Sequence, residues 1–270
     1  MFLPLQRGWA ETVEQRLPGG IVVSAELRAG QPSRPAVLLL HGFLQTRQAP
    51  PMSRLAAMLA DQGYTVLVPT LSLGIDRRAQ SLACEAVHAH TLEGDLAELG
   101  FWVNWLAGKG YGDIVLIGHS FGSQQILRYV AQRPDTAVKK AILTSLIPLY
   151  SDSAERREAA IQMKRYPRSL GRFTLSYCHK NYVSPPGAFL SYATEDAAAA
   201  LNLLGQTRVS TEVILGAADT AMEKGWPGKI RKTGVRLAVI ADAGHFFDGE
   251  QEFDLADKIG ASLAAMAAGN

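Results

Sequence analysis

The apolar positions of the chain fall into two alternating rhythms. Dense short runs, such as AVLLL at 36–40, IVLI at 114–117 and EVIL at 212–215, are apolar at almost every position, as in strands covered on both faces. Longer stretches between them carry apolar residues at helical spacing. Residues 91–106 place Leu92, Leu96, Leu99, Phe101, Val103 and Leu106 behind the acidic Glu93 and Asp95, and acidic residues suit a helix start. Helices are likewise predicted over 52–62 (stopped at Gly63), 121–132, 222–232 and 253–267. Strands are predicted over 11–17 and 21–27, joined by the turn Pro18-Gly19-Gly20, and over 36–43, 64–71, 113–120, 138–149, 211–219 and 235–247. Strands alternating with helices imply an α/β fold: a mostly parallel, doubly wound sheet of about eight strands with helices on both faces.

The alternation lapses between 151 and 208. Helix-like patches at 154–166 and 195–204 flank a middle rich in aromatics and containing Pro185-Pro186-Gly187, which reads as loop. This segment is expected to form a small cap within one domain spanning 1–270. Residues 72–90 are long for a loop, so they are expected to border a site.

One short stretch carries specific chemistry. Gly118-His119-Ser120-Phe121-Gly122 follows the apolar run DIVLI and opens a helix. A sharp strand-to-helix turn brings its neighbours so close that side chains at Gly118 and Gly122 would collide with them. It also holds Ser120 at its tip. A serine hydroxyl needs a base, and the base needs an orienting group. Asp219 stands just past the apolar strand TEVILG, and His245 follows in the loop after VRLAVIADAG. Both lie beyond the C-terminal ends of strands, where ligands collect in open α/β sheets.

With LLLHGF, GHSFG, LGAAD and AGHFF, the chain resembles the α/β-hydrolases from about Val37 to its end. The resemblance implies Ser120 as nucleophile, His245 as general base and then acid, and Asp219 as its orienting carboxylate. Oxyanion donors, each worth about 3 kcal/mol, are expected from the backbone N–H groups of Phe121 and Phe43, with Leu44 as the alternative to Phe43. Asp242 and Asp152 compete for the acid's role. His119 is expected to pack beneath the turn, His41 to hold the His-Gly loop in shape, and Asp248 to lie at the surface. Leu44, Leu146, Tyr150 and Phe246 are expected to line an apolar substrate pocket, with Ile147 nearby and Tyr177, Tyr182, Phe189 and Tyr192 closing over it.

The implied reaction is cleavage of a carboxylic ester through an acyl-enzyme, with no cofactor. Thioesterase, acyltransferase and carbon–carbon hydrolase chemistry can use the same residues, and a non-catalytic binding protein of the same fold is the alternative of another class. A serine at this turn speaks against the dehalogenase and epoxide-hydrolase branches, which use aspartate there. Partners are expected to be small esters or thioesters.

Composition narrows the remainder. A net charge of +2 is too small to suggest nucleic acid as a partner. No apolar run approaches the roughly 20 residues of a membrane span, and the first residues, MFLPLQRGWAETVEQ, lack the features of a secretory leader. Two cysteines, Cys84 and Cys178, do not make a disulfide framework, so a reducing cytoplasm is expected; a bond between them requires an oxidising compartment. Cys84, His88, His90, Cys178 and His179 lack paired metal-ligand spacing, and no metal is expected. Between 151 and 190 basic residues outnumber acidic ones (Arg156, Arg157, Lys164, Arg165, Arg168, Arg172 and Lys180 against Asp152, Glu155 and Glu158). That excess suggests a patch able to steer an anionic substrate or to rest on an anionic surface.

Overall fold

The structure is a computed structural model and describes residues 10–133 and 135–268. Most of the N-terminal stretch read for a leader lies outside the described residues. Eight strands form one sheet: β1 (Ala10–Arg16), β2 (Val22–Arg28), β3 (Ala36–Leu40), β4 (Thr65–Thr70), β5 (Ile114–His119), β6 (Val138–Thr144), β9 (Ser210–Gly216) and β10 (Arg236–Ile240). Their order is β1-β2-β4-β3-β5-β6-β9-β10. β1 pairs antiparallel with β2 and β2 antiparallel with β4, and every other pairing is parallel.

The period-2 alternation of the central strands divides the core in two. Leu38, Leu40, Leu116, Leu143, Val213 and Leu215 face one layer. Their neighbours Val37, Leu39, Val115, Ile117, Ile142 and Ile214 face the other. Helices α1 (Met52–Asp61) and α8 (Gln251–Ala268) cover the second face. α2 (Leu92–Gly108), α3 (Phe121–Gln132) and the short α7 (Trp226–Arg231) cover the first. Both faces of a parallel strand are thereby dry, which is why its sequence is apolar throughout.

The segment between β6 and β9 departs from its expected form. It carries α4 (Ser153–Arg165), β7 (Gly171–Leu175), β8 (Cys178–Ser184), α5 (Pro186–Ala193) and α6 (Ala197–Gln206). The stretch read as loop is thus an antiparallel hairpin, with Leu175 opposite Cys178, followed by a helix. The Pro-Pro-Gly signal is a helix start: Pro186 occupies the first helical position, where its fixed φ fits and no N–H is needed. Phe173, Leu175, Tyr182, Phe189 and Tyr192 share one apolar cluster with the sheet.

Cys84 and Cys178 are joined by a disulfide that closes a sequence separation of 94 residues. The pairing, which the sequence leaves open, is thus made. The bond ties the 71–91 connection to β8, and two backbone hydrogen bonds continue the seam, His88 N–H to the Val183 carbonyl at 2.8 Å and Val183 N–H to the Cys84 carbonyl at 3.3 Å. Sequence alone could not set the two Cα atoms 5.5 Å apart. Among the described residues no helix is long and apolar enough to cross a membrane.

Candidate active site

β5, β6, β9 and β10 are adjacent and parallel, so their C-terminal ends share one edge of the sheet. The chain leaves β5 into α3 through Ser120, whose backbone sits at φ 55°, ψ −120°. A serine held at positive φ is strained, and the surroundings leave it no alternative. A Cβ on Gly118 would lie 2.5 Å from the Gly122 carbonyl oxygen, and one on Gly122 would lie 2.5 Å from that of His41. Ser120 N–H donates to the Thr144 carbonyl at 2.9 Å. The Ser123 hydroxyl stands 2.8 Å from both the Gly118 and Thr144 carbonyls, so β5, β6 and α3 are pinned together under the turn.

At that edge Ser120, His245 and Asp219 form one hydrogen-bonded chain. His245 Nε2 lies 2.9 Å from Ser120 Oγ, and His245 Nδ1 lies 2.7 Å from Asp219 Oδ2. Asp219 also accepts from Ala221 N–H at 2.9 Å through its other oxygen, so both carboxylate oxygens are fixed. Ser145, at the end of β6, donates its hydroxyl to the His245 carbonyl at 2.7 Å and holds the loop that carries the imidazole. A neutral imidazole with Nδ1–H aimed at the carboxylate presents its Nε2 lone pair to the serine hydroxyl. Among the described residues, no other acceptor takes up the N–H groups of Phe43, Leu44 or Phe121. The Phe121 amide stands at the positive end of α3.

The competing acids sit elsewhere. Asp152 caps α4, accepting from Ala154 and Glu155 N–H. Asp242 is exposed at φ 57°, and Asp248 lies 3.5 Å from Arg54. His119 is buried below the turn, its ring 5.1 Å from that of His245, and burial holds it neutral, well below the usual imidazole pKa.

The loop after β3 is clamped from two sides. His41 Nδ1 donates to the Gly42 carbonyl at 2.9 Å, and His41 Nε2 accepts Leu71 N–H at 3.1 Å. These bonds fix one neutral tautomer, and burial together with nearby Arg78 pushes the His41 pKa down to about 3. Arg78, itself buried, donates to the carbonyls of Leu71, Gln80 and Gln45, with a longer contact to that of Leu44. Desolvation lowers the Arg78 guanidinium to about 10, partly offset by Glu98 and Asp95. Arg78 was not singled out by the sequence, since an arginine in a long loop carries no burial signal.

A small cavity with about 10 Å³ of room for a water-sized molecule is lined by the loop after β3 and by Phe121, the residue that follows Ser120. Of the residues expected near the substrate, Phe43, Leu44 and Phe121 line this cavity, Leu146 is buried in the core and Tyr150 is 60% exposed. Phe246 instead packs edge-on to His245, with ring centroids 5.0 Å apart. The wall is not wholly apolar, because His90, Asp95, Gln125 and Tyr192 form part of it. One signal was readable: Asp95 falls on the 92–96–99 stripe of α2, at a position where an apolar residue was due. Of the expected covering aromatics, Tyr182, Phe189 and Tyr192 are fully buried, whereas Tyr177 is exposed with its hydroxyl 3.3 Å from the Phe43 carbonyl.

The sulfurs of Cys84 and Cys178 are bonded to each other, and His88 Nε2 faces the Ala83 and Cys84 carbonyls. Arg157, Lys164, Arg165, Arg168, Arg172 and Lys180 are exposed, and Arg156 reaches the Ala193 carbonyl.

A sequence model described as "Alpha/beta hydrolase family" matches residues 37–257. The curated non-heme haloperoxidase of Rhodococcus erythropolis is 31% identical over 90 residues, covering 33% of this chain and 30% of that protein, so the chain matches less than a third of that relative's length. Among solved structures, the monoacylglycerol lipase of Paleococcus ferrophilus superposes with a TM-score of 0.69 at 16% identity, covering 90% of this chain and 98% of that one. The alpha/beta hydrolase GrgF from Penicillium sp. sh18 gives 0.71 at 14% identity over 93% and 96% of the two chains. The thioesterase domain from the curacin biosynthetic pathway gives 0.62 at 17% identity, over 95% and 99%. At such identities these likenesses concern the fold alone.

Proposed function

The chain belongs to the alpha/beta hydrolase family, and on that premise we propose that it is a serine hydrolase cleaving a carboxylic ester through an acyl-enzyme. The observation that carries the reading is the unbroken chain Ser120–His245–Asp219, with contacts of 2.9 and 2.7 Å, at the end of strand β5. In the proposed cycle the Ser120 hydroxyl attacks the ester carbonyl while its proton passes to His245 Nε2. The carbonyl oxygen gains the negative charge, and the N–H groups of Phe43 and Phe121 stabilise it. His245 then gives the proton to the departing alkoxide. Water, deprotonated by the same nitrogen, releases the acid in the second half. Asp219 keeps the imidazole in the working tautomer and stabilises its cation. The cycle draws on no cofactor.

In this reading the chain is one domain, and 151–208 is a cap over the site. The sharing of one apolar cluster between cap and sheet supports that view. The disulfide favours an oxidising compartment over the cytoplasm that the cysteine count suggested.

Labelling with a fluorophosphonate tests the reading. Wild-type protein should gain one adduct on Ser120, and Ser120→Ala none. Folded wild-type protein that takes up no label would favour a non-catalytic binding protein instead. A panel of p-nitrophenyl esters beside acyl-CoA thioesters then separates esterase from thioesterase, and added alcohols report acyl transfer.

A further inference from the structure

The cavity's lining is of two kinds. Phe43, Leu44 and Phe121 are apolar, and Gly42 approaches the nucleophile, since a Cβ on Gly42 would stand 3.5 Å from the Ser120 Cβ. The others include a connected polar set. Asp95 Oδ2 accepts the Tyr192 hydroxyl at 2.7 Å and Gln125 Nε2–H at 2.8 Å. The Tyr192 hydroxyl also meets His90 Nδ1. The four side chains come from three separate segments: the loop before α2, with α2 itself, then α3 and α5.

This set is incompletely satisfied. His90 Nε2 is buried and has no hydrogen-bond partner among the described residues, although the His90 side chain is only 5% exposed. The Tyr192 and Gln125 hydrogen bonds both fall on Asp95 Oδ2, and Asp95 Oδ1 lies 3.8 Å from His90 Nδ1. A buried polar atom without a partner costs about 1–3 kcal/mol. A pocket meant for plain hydrocarbon would avoid that cost by placing leucine or phenylalanine at these positions.

Charge decides what the missing partner is. Burial holds His90 neutral, with its pKa pushed down to about 3, and pushes the Asp95 carboxyl up to about 8. The nearby guanidinium of Arg78 is already committed to backbone carbonyls. A carboxylate on the ligand would therefore enter a dry site with no free cation, and an ammonium would meet a carboxyl whose ionisation burial disfavours. With the Tyr192 proton given to Asp95, His90 Nδ1 donates to the Tyr192 oxygen and Nε2 is left as an acceptor; a neutral hydroxyl can donate to that nitrogen and still accept from a protonated Asp95 carboxyl.

Resting on the serine-hydrolase reading, we propose that this cavity is the acyl pocket and that His90, Asp95, Gln125 and Tyr192 select short acyl groups bearing a hydroxyl. The room present, about that of one water molecule, fits the hydroxyl itself and not the carbons leading to it, so the lining has to yield to admit the chain.

The test compares p-nitrophenyl esters of matched length: butanoyl against 2-, 3- and 4-hydroxybutanoyl, with amino- and carboxyl-bearing counterparts. At least one hydroxy position should exceed the plain ester in kcat/KM by about tenfold or more, as one satisfied buried hydrogen bond allows. In Tyr192→Phe, which removes only the hydroxyl, and in His90→Phe, that ratio should fall towards one. A ratio near one at every position in wild type overturns the proposal. So does a ratio that survives both substitutions, or a preference for the charged acyl groups. Calorimetry of the same paired esters on Ser120→Ala reads binding without turnover. Fluorophosphonate labelling distinguishes the two failures. Labelled protein with no hydroxyl preference sinks the pocket assignment alone, whereas unlabelled protein sinks the hydrolase reading and leaves calorimetry to decide the pocket.

Discussion

Acid should weaken this protein through one imidazole more than through any solvent-facing group. His41 donates from Nδ1 to the Gly42 carbonyl and accepts Leu71 N–H at Nε2. Protonating Nε2 destroys the second bond and places a cation beside Arg78 in a dry site. The folded pKa, lowered from 6.5 to about 3, lies below the unfolded value. The unfolded chain therefore takes up the proton first as pH falls, so the stabilisation is complete above about pH 6.5 and is lost progressively below it. Between about pH 7.5 and pH 4.5 the unfolded histidine gains close to two pKa units' worth of proton binding that the folded one does not. At 1.36 kcal/mol per unit that is about 2.7 kcal/mol. The figure does not depend on how far below about pH 4 the folded group titrates, because the folded form is already unprotonated at the lower pH.

The assay is urea unfolding of wild type and His41→Gln at both pH values. Glutamine can donate and accept but does not titrate. All other ionisable groups contribute equally to both proteins, so their effects cancel in the double difference. Wild type should lose about 2.7 kcal/mol more than the variant on acidification, a large part of an ordinary domain's stability. Equal losses would mean that His41 protonates freely in the folded protein. The clamp on the Phe43 loop would then be wrong.

Other expectations are briefer. Gly122→Ala would drive a Cβ to 2.5 Å from the His41 carbonyl oxygen and 2.6 Å from that of Leu40, with backbone on both sides and no room to yield, so thermal or urea unfolding should register a loss of about 3 kcal/mol. Cys84→Ser with Cys178→Ser opens a closure of 94 residues and should cost about 2–4 kcal/mol; dithiothreitol should shift wild type in the same direction and leave the double variant unmoved. Asp219→Asn should lower kcat by orders of magnitude with little change in KM, whereas Asp242→Asn and Asp152→Asn should stay near wild type in steady-state assays. If the exposed arginines and lysines of 157–180 steer substrate, kcat/KM for anionic esters should fall with added salt while that for neutral esters holds steady.

Where the sequence was readable, and where it was not, follows from the range of the forces involved. The central strands are dry on both faces, and that condition writes itself into four or five consecutive apolar residues, as at 36–40 and 114–117. The turn at Ser120 is equally local: its two glycines answer to backbone atoms a few residues away or on the next strand. The hairpin of β7 and β8 left no such mark. Its turn is made by Ser176 and Tyr177, with Ser176 at φ 53°, where glycine or asparagine is the usual signal. The segment consequently reads as loop. The helix behind Pro186 is hidden for the converse reason: Pro-Pro-Gly commonly marks a loop, yet proline is also at home in the first turn of a helix.

The disulfide and the polar cavity lie beyond local reading for a shared reason, which bears on function. Each joins residues whose proximity exists only after the excursion between β6 and β9 has folded back on the 71–91 connection. Cys84 meets Cys178, and His90 meets Tyr192, across that one seam. The seam is fixed by a covalent bond, by two backbone hydrogen bonds at His88 and Val183, and by the stacking of His88 on Tyr182 at 4.4 Å. Tyr182 packs in turn against Phe43, with ring centroids 5.9 Å apart, and Phe43 carries one of the proposed oxyanion amides. A contact train therefore runs from the disulfide through two aromatic rings to the edge of the reacting centre. Pocket shape and oxyanion geometry rest on the same fastening, so loosening it should alter which acyl groups are accepted as well as how stable the fold is.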